Sequence, residues 1–210
     1  MLTGVAMRRW LLACVGAVLV LASASSVFGQ QTETERERLE RLAAGGDFGA
    51  MHNLGLLYEN GRGVRQDYEQ ARRWYEKAAA AGVTLAMSRL GYLYDRGFGV
   101  RQDFEEARRW YEKAAAAGDA WAMNELGVIY YSGRGVRRDY AGARSWYEKA
   151  AAAGDTMAMT NLGILYHYGR GVRQDYQQAR YWYERAAAAG NDHARRFLAL
   201  LDEPHRSEPK

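Results

Sequence analysis

The chain has 210 residues, 48% of them hydrophobic and 26% charged, which is enough to bury the core of one domain. Its two prolines, Pro204 and Pro209, stand near the C-terminus, so no proline upstream interrupts a long series of helices. Of the formal net charge of +4, Arg8 and Arg9 carry two units, and the rest is not clustered, which argues against a nucleic-acid partner.

Residues 1–29 read as a signal peptide. Arg8 and Arg9 form a positive n-region, Trp10 to Ala22 form an apolar h-region, and small residues follow. Cleavage is expected after Ala24 or Gly29, which would place the mature protein in the periplasm or outside the cell. The alternative is an uncleaved inner-membrane anchor, since the apolar run extended to Gly29 could just span a bilayer. Contact with a membrane is expected only through this segment. Cys14 is the only cysteine and lies inside it, so the mature chain holds no disulfide and must be stabilised by packing alone. The same cysteine gives a poor lipoprotein box, and Arg8-Arg9 a poor twin-arginine signal.

Residues 30–46 are expected to form an N-terminal capping helix, with Leu39, Leu42 and Ala43 facing inward and Gly45-Gly46 closing it. Four copies of a 36-residue unit follow without a gap, at 47–82, 83–118, 119–154 and 155–190. Identical positions include Ala50/Ala86/Ala122/Ala158, Leu54/Leu90/Leu126/Leu162, Gly55/Gly91/Gly127/Gly163, Tyr58/Tyr94/Tyr130/Tyr166 and Trp74/Trp110/Trp146/Trp182. Each unit reads as two helices. The first carries Ala50, Met51, Leu54, Leu57 and Tyr58 on one side. Asp47, Asp119 and Asp155 stand at its N-cap, while Val83 breaks the pattern and leaves Thr84 as the expected cap. Gly61-Arg62-Gly63 ends this helix. Asp67 caps the second, whose stripe of Ala71, Trp74, Tyr75, Ala78 and Ala79 lets helices approach closely, with the tryptophan filling the space between layers. Residues 191–203 form a C-terminal capping helix with Ala194 and Leu198 on the repeat register, and 204–210 a disordered tail. Arginines on both end helices suit caps whose outer side meets water.

The segment A-x-x-x-L-G-x-x-Y-x-x-G-x-G-V-x-x-D-Y-x-x-A-x-x-W-Y-x-x-A-A-x-x-G, met four times with Phe104 once replacing tyrosine, resembles the Sel1-like repeat, a relative of the tetratricopeptide repeat. The resemblance implies an all-α fold, an α/α solenoid of four repeats with half-repeat caps, wound as a right-handed superhelix with the first helices lining its concave face. It also implies an adaptor, assembly factor or regulator, several of which act in bacterial envelopes. A cysteine-rich branch linked to penicillin binding staples each repeat with a disulfide, and this chain lacks those cysteines.

Positions that vary between copies are free to serve a partner. A stripe at i, i+3, i+4, i+7 on the first helices carries His52, Asn53, Tyr92, Trp121, Asn124, Tyr131, Asn161, His167 and Tyr168. Rings beside amides suit an extended peptide, because rings supply area and an asparagine both donates and accepts. Arg65, Arg101, Arg137 and Arg173 recur beside the loop, with Arg62, Arg134 and Arg170 next to them, a basic edge that would attract an anionic polymer or acidic partner. Arg72, Arg108, Arg144 and Arg180 instead face Glu76, Glu112, Glu148 and Glu184 four residues on, as ordinary solvated helix pairs.

No catalytic residue emerges. The four histidines have no metal-ligand spacing, the Gly-x-Gly turns follow no strand, and Ser207-x-x-Lys210 lacks any K-T-G partner. Neither metal nor cofactor is implied. The sequence therefore points to an exported adaptor that binds a protein or peptide segment in its concave groove. The competing readings are a cell-wall or glycan-binding protein and, by family association, a β-lactamase-like hydrolase.

Overall fold

A computed structural model describes residues 33–202, and among them lie ten α-helices and no strand. The expected signal peptide and tail fall outside the described residues, as does the start of the 30–46 cap. None of the described helices is long and apolar enough to cross a membrane. The chain divides into two compact units, Met1–Arg38 and Leu39–Lys210. In the first, the described residues open helix α1 (Glu35–Ala44) with a reciprocal cap. The Glu37 N–H donates to Thr34 Oγ1 at 3.2 Å, and the Thr34 N–H donates to the Glu37 carboxylate at 3.0 Å.

The second unit holds four α/α hairpins. Their first helices are α2 (Phe48–Asn60), α4 (Thr84–Arg96), α6 (Ala120–Ser132) and α8 (Thr156–Tyr168), and their second helices are α3 (Tyr68–Ala80), α5 (Phe104–Ala116), α7 (Tyr140–Ala152) and α9 (Tyr176–Ala188). Helix α10 (Asp192–Asp202) closes the array, and from α2 onward each helix packs against its neighbour in the chain. The cap residues set the boundaries. Asp67 accepts from the N–H groups of Glu69 and Gln70, both at 3.0 Å, and Asp103, Asp139 and Asp175 repeat the arrangement. Asp47, Asp119 and Asp155 each accept from the N–H three residues on. Val83 occupies the same place with the same extended backbone (φ −71, ψ 105) but makes no side-chain cap. Thr84 does not replace it, because position 84 is already helical and its carbonyl accepts from Ser88 Oγ at 3.3 Å.

The core is nearly the same in every hairpin, with Ile129 once in place of leucine, and its large member is tyrosine rather than tryptophan. Tyr75, Tyr111, Tyr147 and Tyr183 are fully buried. Each ring lies on the helical glycine of its own first helix, so closely that a Cβ at Gly55 would stand 2.3 Å from Tyr75 Cε1. Glycine is required there for close approach. The tryptophans one residue earlier are half-buried, and Lys77, Lys113 and Lys149 lie 4.0–4.1 Å over the rings of Trp74, Trp110 and Trp146. They pack on the core from outside; the tyrosines fill it. At the ends, Leu39, Leu42 and Ala43 cover Ala50 and Leu54, while Ala194 is buried and Phe197 stacks on Tyr183 at 5.0 Å.

Candidate protein-interaction face of the first helices

Because each hairpin buries the equivalent alanine, aliphatic and tyrosine positions, its first helix turns one fixed set of positions away from that core. One row of these positions holds Glu59, Asp95, Tyr131 and His167, a different residue in each repeat. Asp95 is 1% exposed, and its carboxylate receives Arg134 Nη1 at 2.9 Å and Arg96 Nε at 3.7 Å. One repeat further on, Arg170 donates to the Tyr131 hydroxyl and lies 5.2 Å over its ring. These two rungs tie consecutive hairpins together. Phe98 stands where the arginines do and stacks on Tyr68 at 4.7 Å. With no arginine below it, Glu59 accepts from the Tyr75 hydroxyl and pairs with Arg89 at 3.5 Å. The ring of His167 tilts against Tyr168 at 4.5 Å and meets Tyr176 edge-on at 5.5 Å. Burial lowers its pKa below the usual imidazole value.

The remaining stripe residues separate by depth. His52 is buried against Tyr75, its ring 5.7 Å away, and desolvation lowers its pKa. Asn124 is buried too, and its Oδ1 accepts from Asn161 Nδ2 at 2.9 Å, an amide link between neighbouring repeats. Asn191 extends this use of amides, donating to the Thr156 carbonyl at 3.2 Å and capping α10 through the Ala194 N–H at 3.1 Å. Asn53 and Tyr168 are exposed. Between them Tyr92 and Trp121 are half-buried with ring centres 6.3 Å apart, and Trp121 meets the buried Tyr111 edge-on at 5.6 Å. His52 and Asn124 thus face into the scaffold, while Asn53, Tyr92, Trp121, Asn161 and Tyr168 keep surface for a partner.

Glu125 lies on the same face, four residues after Trp121. Its carboxylate is half-buried and accepts from Asn124 Nδ2 at 3.2 Å. Desolvation raises its pKa above the usual carboxylate value, with the nearby Asp95 charge adding to the rise and Arg134 opposing it.

The arginines fall into three groups. Arg65, Arg101, Arg137 and Arg173 are exposed in the loops and make no ion pair among the described residues. Arg101 borders a cavity of about 660 Å³ with Tyr94 and Phe104, and Arg173 one of about 460 Å³ with Tyr166 and Arg144. Arg134 and Arg170, read from sequence as part of that edge, turn inward to the rungs just described. Along the second helices the expected pairs form between Arg72 and Glu76, Arg108 and Glu112, and Arg144 and Glu148. Arg180 departs from them, because α10 offers Asp202 as a nearer partner. Among the described residues no group of three His, Cys, Asp or Glu side chains could hold a metal ion.

A Sel1 repeat model matches residues 49–83, 84–119, 122–155 and 156–191. No curated protein matches the chain. Among solved structures it is similar to a Sel1 repeat protein from Oxalobacter formigenes, with 34% identity and a TM-score of 0.74 over 80% of this chain and 70% of that one. It is also similar to c5321, a protective antigen of uropathogenic Escherichia coli with an SLR fold, at 39% identity and a TM-score of 0.73 over 78% of this chain. There the chain spans only 35% of the antigen's length. The immunity protein Pa5087 of Pseudomonas aeruginosa is more distant, with 26% identity and a TM-score of 0.57 over 83% of this chain and 64% of that one.

Proposed function

The chain belongs to the Sel1 repeat family, whose members serve as protein-interaction scaffolds, and from that premise we propose that it is an exported adaptor holding a protein or peptide segment along its first-helix face. One observation carries this reading. Four hairpins repeat nearly the same core, with isoleucine for leucine only at 129, yet the outward residues change from copy to copy and include an exposed amide, two half-buried rings and an exposed tyrosine (Asn53, Tyr92, Trp121 and Tyr168). Asn53 and Tyr168 lie outside the buried core, so their exposed surface is available to a partner. The basic loop edge is the place where an acidic partner would add contacts. Export rests on residues 1–29, and the proposed location is the periplasm or the cell exterior.

In-cell photo-crosslinking from a benzophenone side chain in place of Asn53 or Tyr168, followed by mass spectrometry of the adduct, tests the face. Both positions are exposed, so the probe leaves the core intact. One dominant protein adduct, weakened by Trp121→Ala, is the expected result. An adduct only from a probe at Arg137 would move the function to the loop edge. The N-terminal residue of the protein recovered from a periplasmic extract tests export, with Ser25 or Gln30 expected at the start.

A further inference from the structure

Three carboxylates stand on the first-helix face at or near its buried floor, and two of them have cations. Glu59 has Arg89 and the Tyr75 hydroxyl; Asp95 has Arg134 and Arg96. The third, Glu125, has one hydrogen bond, from the Asn124 amide at 3.2 Å, and no ion pair among the described residues. Given that this face holds a polypeptide, as proposed above, we infer that its middle is a recognition site for a basic side chain of the bound segment, with Glu125 as counter-ion and the Tyr92 and Trp121 rings flanking the stem.

The physical case is one of unmet demand. A carboxylate withdrawn from water loses hydration that one amide N–H does not replace, and desolvation raising the Glu125 pKa is the sign of that loss. The cations already nearby are committed. Arg134 is held 2.9 Å from the buried Asp95, and leaving that carboxylate would strand a charge that is 1% exposed. Arg96 shares the same carboxylate, and Arg89 reaches Glu59. A lysine or arginine from outside can therefore form the pair without dismantling one inside. Trp121 lies one helical turn before Glu125 on α6, so a cation reaching the carboxylate passes along the indole, and Tyr92 stands 6.3 Å beyond it. Asn161, whose Nδ2 already donates to Asn124, keeps its own carbonyl oxygen for a main-chain N–H of the segment.

The test uses random peptides displayed on phage and panned on the full chain, with Glu125→Gln and Trp121→Ala compared beside it. Glutamine keeps the size and an acceptor for Asn124 and removes only the charge. Selected peptides should carry Lys or Arg at one aligned position. Replacing that residue by Gln in a synthetic peptide should weaken binding to wild type about tenfold, as expected for a charged hydrogen bond, and leave binding to Glu125→Gln nearly unchanged. Peptides that bind, depend on Trp121 and show no basic preference would overturn the role of Glu125 while leaving the groove reading in place. Peptides bound equally by Trp121→Ala, or no enrichment at all, would overturn both.

Discussion

Two rows of residues run through the four hairpins, and they obey opposite rules. The tyrosines 75, 111, 147 and 183 are identical, fully buried and each seated on a glycine. The row at 59, 95, 131 and 167 never repeats a residue, although Asp95 and Glu59 are almost as deeply buried. Depth alone therefore does not impose identity. The tyrosine row is fixed because its partner is backbone, which cannot change shape. The other row meets side chains, and a long flexible donor can reach a different acceptor in each repeat: Arg134 takes Asp95 and Arg170 takes Tyr131. The first row makes the scaffold uniform; the second lets each interface between repeats be individual.

The comparison is broken most sharply at a glycine. In Gly91→Ala the new Cβ would lie 2.6 Å from Tyr111 Cδ1, with the ring fully buried and nowhere to retreat. Overpacking of this kind should cost about 3 kcal/mol, read as a fall in the urea midpoint at unchanged slope. Tyr111→Leu combined with it should recover part of the loss. If Gly91→Ala alone is neutral, the ring is free to move and the backbone does not fix the row.

The second row predicts a smaller loss with a different remedy. Arg134→Ala leaves the Asp95 carboxylate only the more distant Arg96 and should cost about 2 kcal/mol, less than a fully buried pair because the guanidinium is partly exposed. Adding Asp95→Asn should return most of it, since the amide carries no charge to strand. Strictly additive losses in the double variant would mean that the rung is not a coupled unit.

How much of this was legible beforehand follows from the same distinction. The hairpins, their caps and the 36-residue register were readable because packing demands the same residue at the same place. Tyr75 and Trp74 recur equally, so recurrence could not say which of the two adjacent rings enters the core. The glycine opposite Tyr75 held the answer, but only the fold shows that they meet. His52 and Asn53 pose the same difficulty. Neighbours on a helix are about 100° apart, and at the edge of a stripe that angle takes one inside and leaves the other out. Arg134 was placed with the loop arginines because nothing local reveals an acceptor 39 residues earlier. Val83 was seen as an exception, yet the extended backbone, rather than the side chain, decided where the helix begins.

Glu125→Gln should act in the opposite direction. Its raised folded pKa means that the ionised form is disfavoured on folding, so the group's contribution is fully present below the ordinary carboxylate value of about 4.5 and is lost as pH rises through the folded value. Wild type and variant should therefore match in acid and separate toward pH 7, with the variant more stable there by about half a kcal/mol. Thermal melts at pH 4 and pH 7 check this. Equal differences at the two pH values would place the effect outside the carboxyl's titration.

The smallest expected change sits at the one first helix of a repeat that has no side-chain cap. In Val83→Asp the backbone already holds the extended geometry of Asp47 and Asp119, within a few degrees, so the new carboxylate would meet the Ala86 N–H without rearrangement. An N-cap aspartate contributes about 1 kcal/mol, but Val83 is half-buried against the core of its repeat, and losing that contact takes back a share of order 0.5 kcal/mol. A net gain of about 0.5 kcal/mol is expected, visible as slower hydrogen exchange at Leu85 and Ala86. The mirror change, Asp119→Val, loses more than a cap. The second carboxylate oxygen of Asp119 accepts from Ser88 Oγ at 2.6 Å and so joins α6 to α4, whereas the N-cap valine of α4 offers no such acceptor. If the two substitutions prove equal and opposite, the cap is local; a larger loss at Asp119 would show that one residue both starts a helix and fastens it to the previous repeat.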